Sequence, residues 1–176
     1  MEVRPNRGGF LRPLGCGLFI RDHLMGLAPE NSTKIDPIRG ATQVDINYEY
    51  KEAMARATAR EHAEKIISRM VLNKVDVTEE QASRIYQREL RRVSRKFTHM
   101  RYHSFLMYFS VLKRLHWVVV TGETEPSTIQ ENLPEAPERI YYRLTQKGIE
   151  AGDELWANPL FALYPAIGQH HRKASP

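Results

Sequence analysis

Two short runs of strand-forming residues, in a chain that otherwise carries helical patterns, constrain the fold most. Trp117 to Val120 is largely β-branched, and a run of large residues from Ile140 to Leu144 is followed by Thr145 and Gly148. The nineteen residues between the runs, Thr121 to Arg139, are rich in Glu, Pro and Asn, and Thr121-Gly122 is expected to stop the first strand. This pattern predicts a β-hairpin with an unusually long connecting loop. The fold is therefore expected to be mainly α with a small β-hairpin.

Two helices are predicted ahead of the hairpin from periodicity and capping. From Asp45, apolar residues recur at spacings near 3.5 with charges between them, which predicts an amphipathic helix ending near Leu72 or Asn73. The sequence TEEQ, residues 78–81, is a capping box whose two glutamates favour the positive end of a helix. The second helix is expected to run from there to about Phe97.

A central helix and a closing helix flank the hairpin. Tyr102 to Leu115 is apolar on nearly every side, which predicts a largely buried helix. Leu144 and Ile140 are expected to point inward from the two-stranded ribbon. Thr145 can cap a last helix, roughly Gln146 to Trp156, and Gly148 permits close packing there.

The chain of 176 residues is interpreted as one domain with appendages. Residues 1–44 carry repeated proline and glycine and read as an extended basic arm with one short helix near Ile20 to Met25. The arm is either a solvated tail or a segment that docks on the body or on a partner. Residues 45–158 form the predicted body and 159–176 a tail. The sequence WANPLFALY, residues 156–164, spans the boundary between them and suits a partner groove or packing on the protein's own core.

Composition bounds the partners and the compartment. The net charge of +5 and the pI near 9.4 favour acidic partners such as nucleic acid. A single cysteine, Cys16, excludes an internal disulfide and suits a reducing compartment. Neither a membrane-spanning segment nor a secretory signal is apparent, so a cytoplasmic or nucleoid-associated protein without membrane contact is expected.

The second predicted helix carries the clearest candidate site. One of its faces is suited to a core and consists of Ala82, Tyr86, Leu90, Val93 and Phe97. The opposite face presents five guanidiniums, those of Arg84, Arg88, Arg91, Arg92 and Arg95. Arginines this close repel one another unless counter-charge is supplied, and phosphates would supply it. Two alternatives stay open: pairing with the glutamates of the loop (Glu123, Glu125, Glu131, Glu135, Glu138) or with a partner protein, and a plain solvated face.

A second positive patch lies at the start of the central helix. Arg101, Tyr102, His103 and Ser104 could deliver hydrogen-bond donors to phosphates or base edges. His99 and His103 have the i, i+4 spacing of metal ligands, but no carboxylate or cysteine is near enough in sequence to complete a set. Neither a metal nor a cofactor is expected.

The order of helix, capped helix, apolar helix, strand, loop and strand resembles winged helix-turn-helix regulators of the multiple-antibiotic-resistance and phenolic-acid-repressor kinds. FSVLKRLHWVVVTGE, residues 109–123, is similar to the helix-to-wing half, and YYRLTQKG, residues 141–148, to the closing half. The resemblance implies a winged helix-turn-helix fold with an extended N-terminal arm. It also implies a recognition element from His99 to Arg114, with Lys113 and Arg114 toward the DNA backbone.

These features favour a DNA-binding transcriptional regulator or genome-associated factor. They do not distinguish DNA from RNA as the ligand. The resemblance implies that the long helix from Asp45 to Leu72 could form a dimer seam. The alternative is a non-catalytic interaction or scaffold subunit of a larger assembly that uses a winged helix for protein docking. An enzyme is the least supported class, because phosphate-cradling glycine loops, nucleophile elbows and metal-ligand clusters are missing from the sequence.

Overall fold

A computed structural model of the protein describes residues 15–27, 35–93, 102–127 and 137–166, and for Tyr102 and His103 only the backbone. The described chain is mainly helical with one small antiparallel sheet. Its elements are α1 (Cys16–Leu24), β1 (Ala41–Thr42), α2 (Gln43–Leu72), α3 (Glu79–Arg92), α4 (Tyr102–Arg114), β2 (Val118–Glu125), β3 (Arg139–Leu144), α5 (Gln146–Glu150), α6 (Asp153–Ala157) and α7 (Pro159–Leu163).

The chain divides into two compact units. The described residues up to Tyr50 and from Tyr102 onward form one, here called the sheet unit. Those from Lys51 to Val93 form the other, here called the helical unit. The long helix α2 therefore begins in the sheet unit and continues into the helical unit.

β3 is the central strand of the sheet, whose order is β1-β3-β2. Both neighbours run antiparallel to it, so the predicted hairpin is confirmed. β1 consists only of Ala41 and Thr42, which lie opposite Tyr142 and Tyr141. Sequence patterning did not predict β1, because two residues are too few to show alternation. Gly40 precedes it with a φ of +77°, and a Cβ there would lie 2.0 Å from the Tyr142 carbonyl oxygen, so only glycine fits.

The prediction that the first hairpin strand stops at Thr121-Gly122 is wrong. β2 continues to Glu125 through an irregularity, where the pairing register shifts between Val120 and Thr124. Gly122 adopts a φ of +88° within this bulge. A glycine in a strand pattern therefore marks a bulge here, and the ribbon is longer than expected.

The inward orientation predicted for the closing strand is confirmed for Leu144 and wrong for Ile140. Leu144 is 9% exposed, whereas Ile140 is 44% exposed. Ile140 pairs with Thr124, on the far side of the bulge from Tyr142 and Leu144. That end of the ribbon extends past the core, so side-chain alternation no longer decides burial there.

α4 contributes one face to the core of the sheet unit. Phe105, Phe109 and Leu112 are fully buried, and the Phe109 ring packs edge-on against Tyr142 at 5.0 Å between centroids. Met107, on the opposite face, is 58% exposed. The expected burial therefore holds for one face of α4 and not for the other.

Thr145 caps α5, as predicted. Its hydroxyl oxygen accepts a hydrogen bond from the Gly148 N–H at 3.1 Å and donates to the His116 carbonyl at 2.6 Å. A Cβ at Gly148 would lie 2.3 Å from the Trp117 carbonyl oxygen, so glycine is required for this close approach. The LT-x-K-G sequence thus joins α5 to the start of β2 by both a hydrogen bond and packing.

The single closing helix predicted from Gln146 to Trp156 is wrong. The chain leaves the helix at Ala151 and Gly152, and α6 begins at Asp153. Because of this break, the Trp156 indole N–H reaches the Gly148 carbonyl oxygen at 2.9 Å. In one continuous helix, eight residues would separate these groups by about 12 Å along the axis.

The WANPLFALY segment packs on the protein's own core at its first half. Trp156 is fully buried with its ring centroid 4.7 Å from that of Trp117, and Pro159 is also buried. Leu160 and Tyr164 are partly exposed. Of the two alternatives for this segment, own-core packing therefore applies to Trp156 and Pro159.

The helix expected near Ile20 to Met25 is present as α1, but it begins four residues earlier and ends at Leu24. The first turn of α1 was not predicted because two glycines, which are weak helix formers, lie at its start. Gly15 is the N-cap, and a Cβ at Gly17 would lie 2.2 Å from the Trp156 carbonyl oxygen. The buried side chains of α1 include those of Cys16, Phe19, Ile20, His23 and Leu24.

In the helical unit, two predictions are confirmed and one is wrong. α2 ends at Leu72, and Thr78 and Gln81 form the reciprocal capping box of α3. However, α3 ends at Arg92, not near Phe97, because Val93 takes an extended ψ of 114°. Val93 and the following serine are weak helix formers, which explains the early end. Phe97 lies outside the described residues.

Candidate nucleic-acid interface

Four of the five predicted arginines lie on the exposed surface of α3. The side chains of Arg84, Arg88 and Arg92 are 76%, 49% and 69% exposed, and Arg91 is also exposed. Arg95 lies outside the described residues. α3 therefore presents guanidiniums to solvent over its last three turns.

The residues expected to form the core face of α3 are half-buried. These are Ala82, Tyr86, Leu90 and Val93. The most buried residue of the helix is instead Glu89, which is 7% exposed. No pattern in the sequence predicts a role for this carboxylate.

Glu89 supplies counter-charge to two of the arginines. Its Oε1 lies 3.0 Å from Arg88 Nε and 3.6 Å from Arg92 Nη1. Arg84 pairs with Glu80 at 2.5 Å across one helical turn. Among the described residues, no carboxylate forms an ion pair with Arg91. The described part of this face therefore carries four guanidiniums and two paired carboxylates, which leaves an excess of positive charge.

The hairpin glutamates that form ion pairs in the described residues pair with other arginines. Glu123 Oε2 lies 2.9 Å from Arg39 Nε, and Glu125 Oε1 lies 3.2 Å from Arg139 Nη1. Both partners belong to the sheet unit. Glu138 is exposed, and Glu131 and Glu135 lie outside the described residues. The described contacts therefore do not include pairing between the loop glutamates and the arginines of α3.

The second positive patch is only partly described. Ser104 is half-buried in the first turn of α4, and Tyr102 and His103 lie in the same turn. Arg101 and His99 lie outside the described residues. α4 belongs to the sheet unit, whereas α3 belongs to the helical unit.

The far end of α4 carries two exposed cations. The Lys113 ammonium lies 5.7 Å from the centroid of the Tyr142 ring, and Arg114 Nη1 approaches the Tyr164 hydroxyl at 3.5 Å. Cations in the last turn of a helix are favoured by its dipole. Their positions are therefore explained by the helix itself and leave both charges accessible.

A cavity of about 460 Å³ in the sheet unit was missed by sequence reasoning. Its lining comes from α1, the segment before β1, the start of α2, and β3, and comprises His23, Ile35, Asp36, Arg39, Gly40, Ala41, Asp45, Tyr48, Glu49 and Tyr141. The strand pairing that joins these segments involves only the two residues of β1. No sequence signal indicates that they meet.

Tyr141 organises one wall of this cavity. Its hydroxyl donates to Glu125 at 2.6 Å and accepts from Arg39 Nη2 at 3.1 Å, and the Arg39 guanidinium lies 4.6 Å from the centre of its ring. The hydrogen bond to Glu125 raises the pKa of Tyr141, which keeps the phenol protonated. This wall is therefore held by charge-assisted contacts.

His23 forms a second, buried wall. It is 1% exposed, its ring stacks on Phe19 at 5.4 Å, and neither ring nitrogen has a hydrogen-bond partner among the described residues. Burial lowers the pKa of His23, while the carboxylates of Glu49 and Asp45 oppose that shift. Desolvation is the larger effect, so the imidazole is neutral around pH 7.

The structure and comparisons add three negative findings. In the described parts of the chain, no group of three or more His, Cys, Asp or Glu side chains is arranged to hold a metal ion. No described helix combines the length and the apolar character needed to span a membrane. Comparison with known proteins finds no matching family model, no matching curated protein and no matching solved structure.

Proposed function

We propose that the protein is a nucleic-acid-binding winged-helix protein that contacts DNA phosphates through the arginine face of α3. The observation that carries the proposal is the exposure of Arg84, Arg88, Arg91 and Arg92 on a helix where, among the described residues, two carboxylates pair with them. Phosphate can replace an exposed carboxylate partner at small cost, because such surface pairs contribute about 1 kcal/mol or less.

The buried position of Glu89 supports a role in aiming two of these guanidiniums. A carboxylate that is nearly inaccessible to solvent pairs with Nε of Arg88 and with Nη1 of Arg92 while both arginine side chains remain largely exposed. A guanidinium has five N–H donors, so one contact with Glu89 leaves donors free for a phosphate. Arg88 and Arg92 are then ordered before they meet a ligand.

The winged-helix assignment is supported by the element order of the sheet unit. A helix, a short strand, a second helix, a further helix and two hairpin strands follow in sequence, and the first strand pairs with the last. In this assignment, α1, the start of α2, and α4 are the three helices of the winged helix. The helical unit is then an insertion between the second and the third helix.

In the same assignment, α4 is the recognition helix and β2 and β3 form the wing. Arg101, Tyr102, His103 and Ser104 would face the groove, with Lys113 and Arg114 toward the backbone. We propose DNA ahead of RNA because the winged-helix resemblance favours it, and a transcriptional or genome-associated role follows from the same resemblance. A homodimer through α2 remains part of the proposal.

The proposal is tested with a labelled DNA duplex of random sequence. If the four arginines each contact one phosphate, the affinity should fall about 100-fold between about 50 and 200 mM salt, from a slope near 0.9 per contact. The variant Arg84→Gln/Arg91→Gln should bind about tenfold more weakly, with a salt slope reduced by about 2. Neither residue touches Glu89 within the ion-pair distance, so the buried carboxylate keeps its partners.

A matched control removes the same amount of charge elsewhere. Lys65→Gln/Lys147→Gln also lowers the net charge by two, at exposed positions on α2 and α5. This control should change the affinity by less than about twofold. An equal loss in both variants would show that only net charge matters. No binding at low salt would overturn the proposal, and an unlabelled RNA competitor of the same length separates the two nucleic acids.

Failure of DNA binding would leave protein docking as the alternative. The observation that favours it is the exposure of apolar side chains on the β2–β3 ribbon, where Val119, Val120 and Ile140 are 40%, 52% and 44% exposed. Trp156, which the sequence offered as a docking side chain, does not support this alternative because it is buried.

A further inference from the structure

The cavity between α1, β1, the start of α2 and β3 has the size and lining of a small-ligand site. Its volume of about 460 Å³ lies within the range of small-molecule pockets, about 300–1,000 Å³. It lies entirely within the sheet unit, and none of its lining residues belongs to α3 or to α4. The lining therefore shares no residue with the side chains proposed to contact nucleic acid.

The charge of the lining selects for a cation. Asp36, Asp45 and Glu49 contribute three carboxylates, and Arg39 is the one cationic side chain among the lining residues. The Arg39 guanidinium is already engaged by Glu123 at 2.9 Å and by Tyr141. An anionic ligand would meet an excess of negative charge here, whereas a positively charged one would compensate it.

The acids of the lining retain capacity to accept hydrogen bonds. Asp45 accepts a hydrogen bond from the Thr42 hydroxyl at 2.6 Å, and its other oxygen lies 3.8 Å from Arg139, beyond hydrogen-bond distance. Asp36 accepts one backbone N–H, that of Ile38, at 2.9 Å. A carboxylate offers about four lone-pair sites, so acceptor positions remain on both residues.

His23 is the independent observation that points to a ligand. Buried polar atoms are satisfied by hydrogen bonds in the large majority of cases, yet within the described part of the chain both nitrogens of this buried ring lack a partner. A neutral imidazole has one nitrogen that accepts and one that donates. An ammonium group carries three N–H donors, so it can satisfy the accepting nitrogen and two carboxylates together.

Aromatic rings complete the match to an organic cation. Tyr48 lines the cavity and is 58% exposed, and Tyr141 also lines it, with the Arg39 guanidinium over its ring. The face of a tyrosine attracts a cation within about 6 Å. A bare metal ion fits less well, because the described residues do not form a metal-ligand cluster.

We propose that this cavity binds a small organic cation, a primary amine whose ammonium group is held by Asp45 and Glu49 and donates a hydrogen bond to His23. The remaining volume accommodates the carbon body of the ligand next to Tyr48. The site lies beside β1, the edge strand that pairs with β3. An occupied cavity therefore stabilises the pairing of β1 with β3. The proposal does not depend on nucleic-acid binding.

Three compounds of equal chain length test the ligand class by titration calorimetry. They are 1,4-diaminobutane, butane-1,4-diol and succinate, which carry cationic, neutral and anionic ends. The diamine should bind, and the diol and succinate should bind at least about tenfold more weakly. Equal binding of the diol, or stronger binding of succinate, would overturn the proposal. No heat of binding from the diamine at concentrations of about 10 mM would overturn it as well.

The position of binding is tested by NMR of the histidine side chains in the unaltered protein. The His23 signals are identified by their contacts with the Phe19 ring, on which His23 stacks. The diamine should shift the His23 ring nitrogen signals more than those of the other histidines. Unshifted His23 signals at a diamine concentration that saturates the calorimetric response would refute the location.

Variants distinguish the two recognition elements without disturbing the core. Glu49→Gln should weaken diamine binding at least about tenfold, whereas Glu64→Gln, at an exposed position of the helical unit, should leave it unchanged. Tyr48→Phe keeps an aromatic face and should bind as the wild type does, and Tyr48→Leu should bind several-fold more weakly. Undiminished binding in both Glu49→Gln and Tyr48→Leu would show that the diamine binds elsewhere. N-acetyl-lysine methylamide in parallel shows whether a free amine or a lysine side chain is the tighter ligand.

Discussion

The two units differ in how far apart along the chain their charged partners lie. In the helical unit, Arg84 pairs with Glu80 four residues away, and Arg88 pairs with its neighbour Glu89. In the sheet unit, Arg21 pairs with Asp153 across 132 residues, and Arg39 pairs with Glu123 across 84. The first kind of pair supports a helix that its own sequence already favours, whereas the second kind joins distant segments.

The same difference holds for buried side chains. The large residues with no measurable exposure, including Trp156, Tyr50, Phe105 and Phe109, all lie in the sheet unit. Buried apolar residues of the helical unit are Met54, Ala59 and Ala63. The sheet unit therefore depends on contacts between segments that are far apart, and the helical unit depends more on capping and helix propensity.

The largest expected effect separates the two units by a core truncation. Trp156→Ala should lower the free energy of unfolding by about 4 kcal/mol, because it removes a fully buried ring and its hydrogen bond to Gly148. The matched control is Leu72→Ala at the end of α2, where the side chain is 81% exposed, and it should cost less than about 0.5 kcal/mol. Urea denaturation followed by far-UV circular dichroism measures both. Similar losses in the two variants would contradict the contrast between the units.

The elements of the fold that sequence reasoning predicted are those with local signals. The capping box at Thr78, the end of α2 at Leu72 and the Thr145 cap depend on residues within four positions of one another. The break at Gly152 and the bulge at Gly122 were missed, because a single glycine in the sequence decides neither where a helix breaks nor whether a strand stops or bulges. At Gly17 a glycine that argued against a helix is required inside one, since the Trp156 carbonyl lies against it.

An effect of intermediate size on the free energy of unfolding is expected when the two threonine caps are compared. Thr78→Ala in the helical unit removes one capping interaction and should cost about 1 kcal/mol. Thr145→Ala should cost about 2 kcal/mol, because its hydroxyl also bonds to the His116 carbonyl and thereby links α5 to the start of β2. Thermal unfolding of both variants and of the two corresponding serine variants tests this, and the serines should recover most of the loss. An equal cost for the two alanines would mean that the link to His116 contributes nothing.

The arginine face of α3 and the cavity around His23 also differ in how far the sequence alone predicts them. Exposure of the α3 arginines could be predicted, because one helical period assigns each residue to a face. The burial of Glu89 could not, since an acid between arginines reads as a surface residue. The cavity around His23 was also out of reach of sequence reasoning. Its walls come from four segments, and the short strand β1 that brings them together has no pattern of its own.

The smallest expected effect is the coupling energy of one ion pair from each unit. A double-mutant cycle with Arg84→Gln and Glu80→Gln should give about 0.3 kcal/mol, because both side chains are about three-quarters exposed. The cycle with Arg21→Gln and Asp153→Asn should give about 1 kcal/mol, because the Arg21 side chain is only 17% exposed and holds two distant segments together. The two couplings should respond differently to about 1 M salt, with the exposed pair losing the larger share. A larger coupling for Arg84 and Glu80 than for Arg21 and Asp153 would mean that sequence distance does not predict which charges matter here.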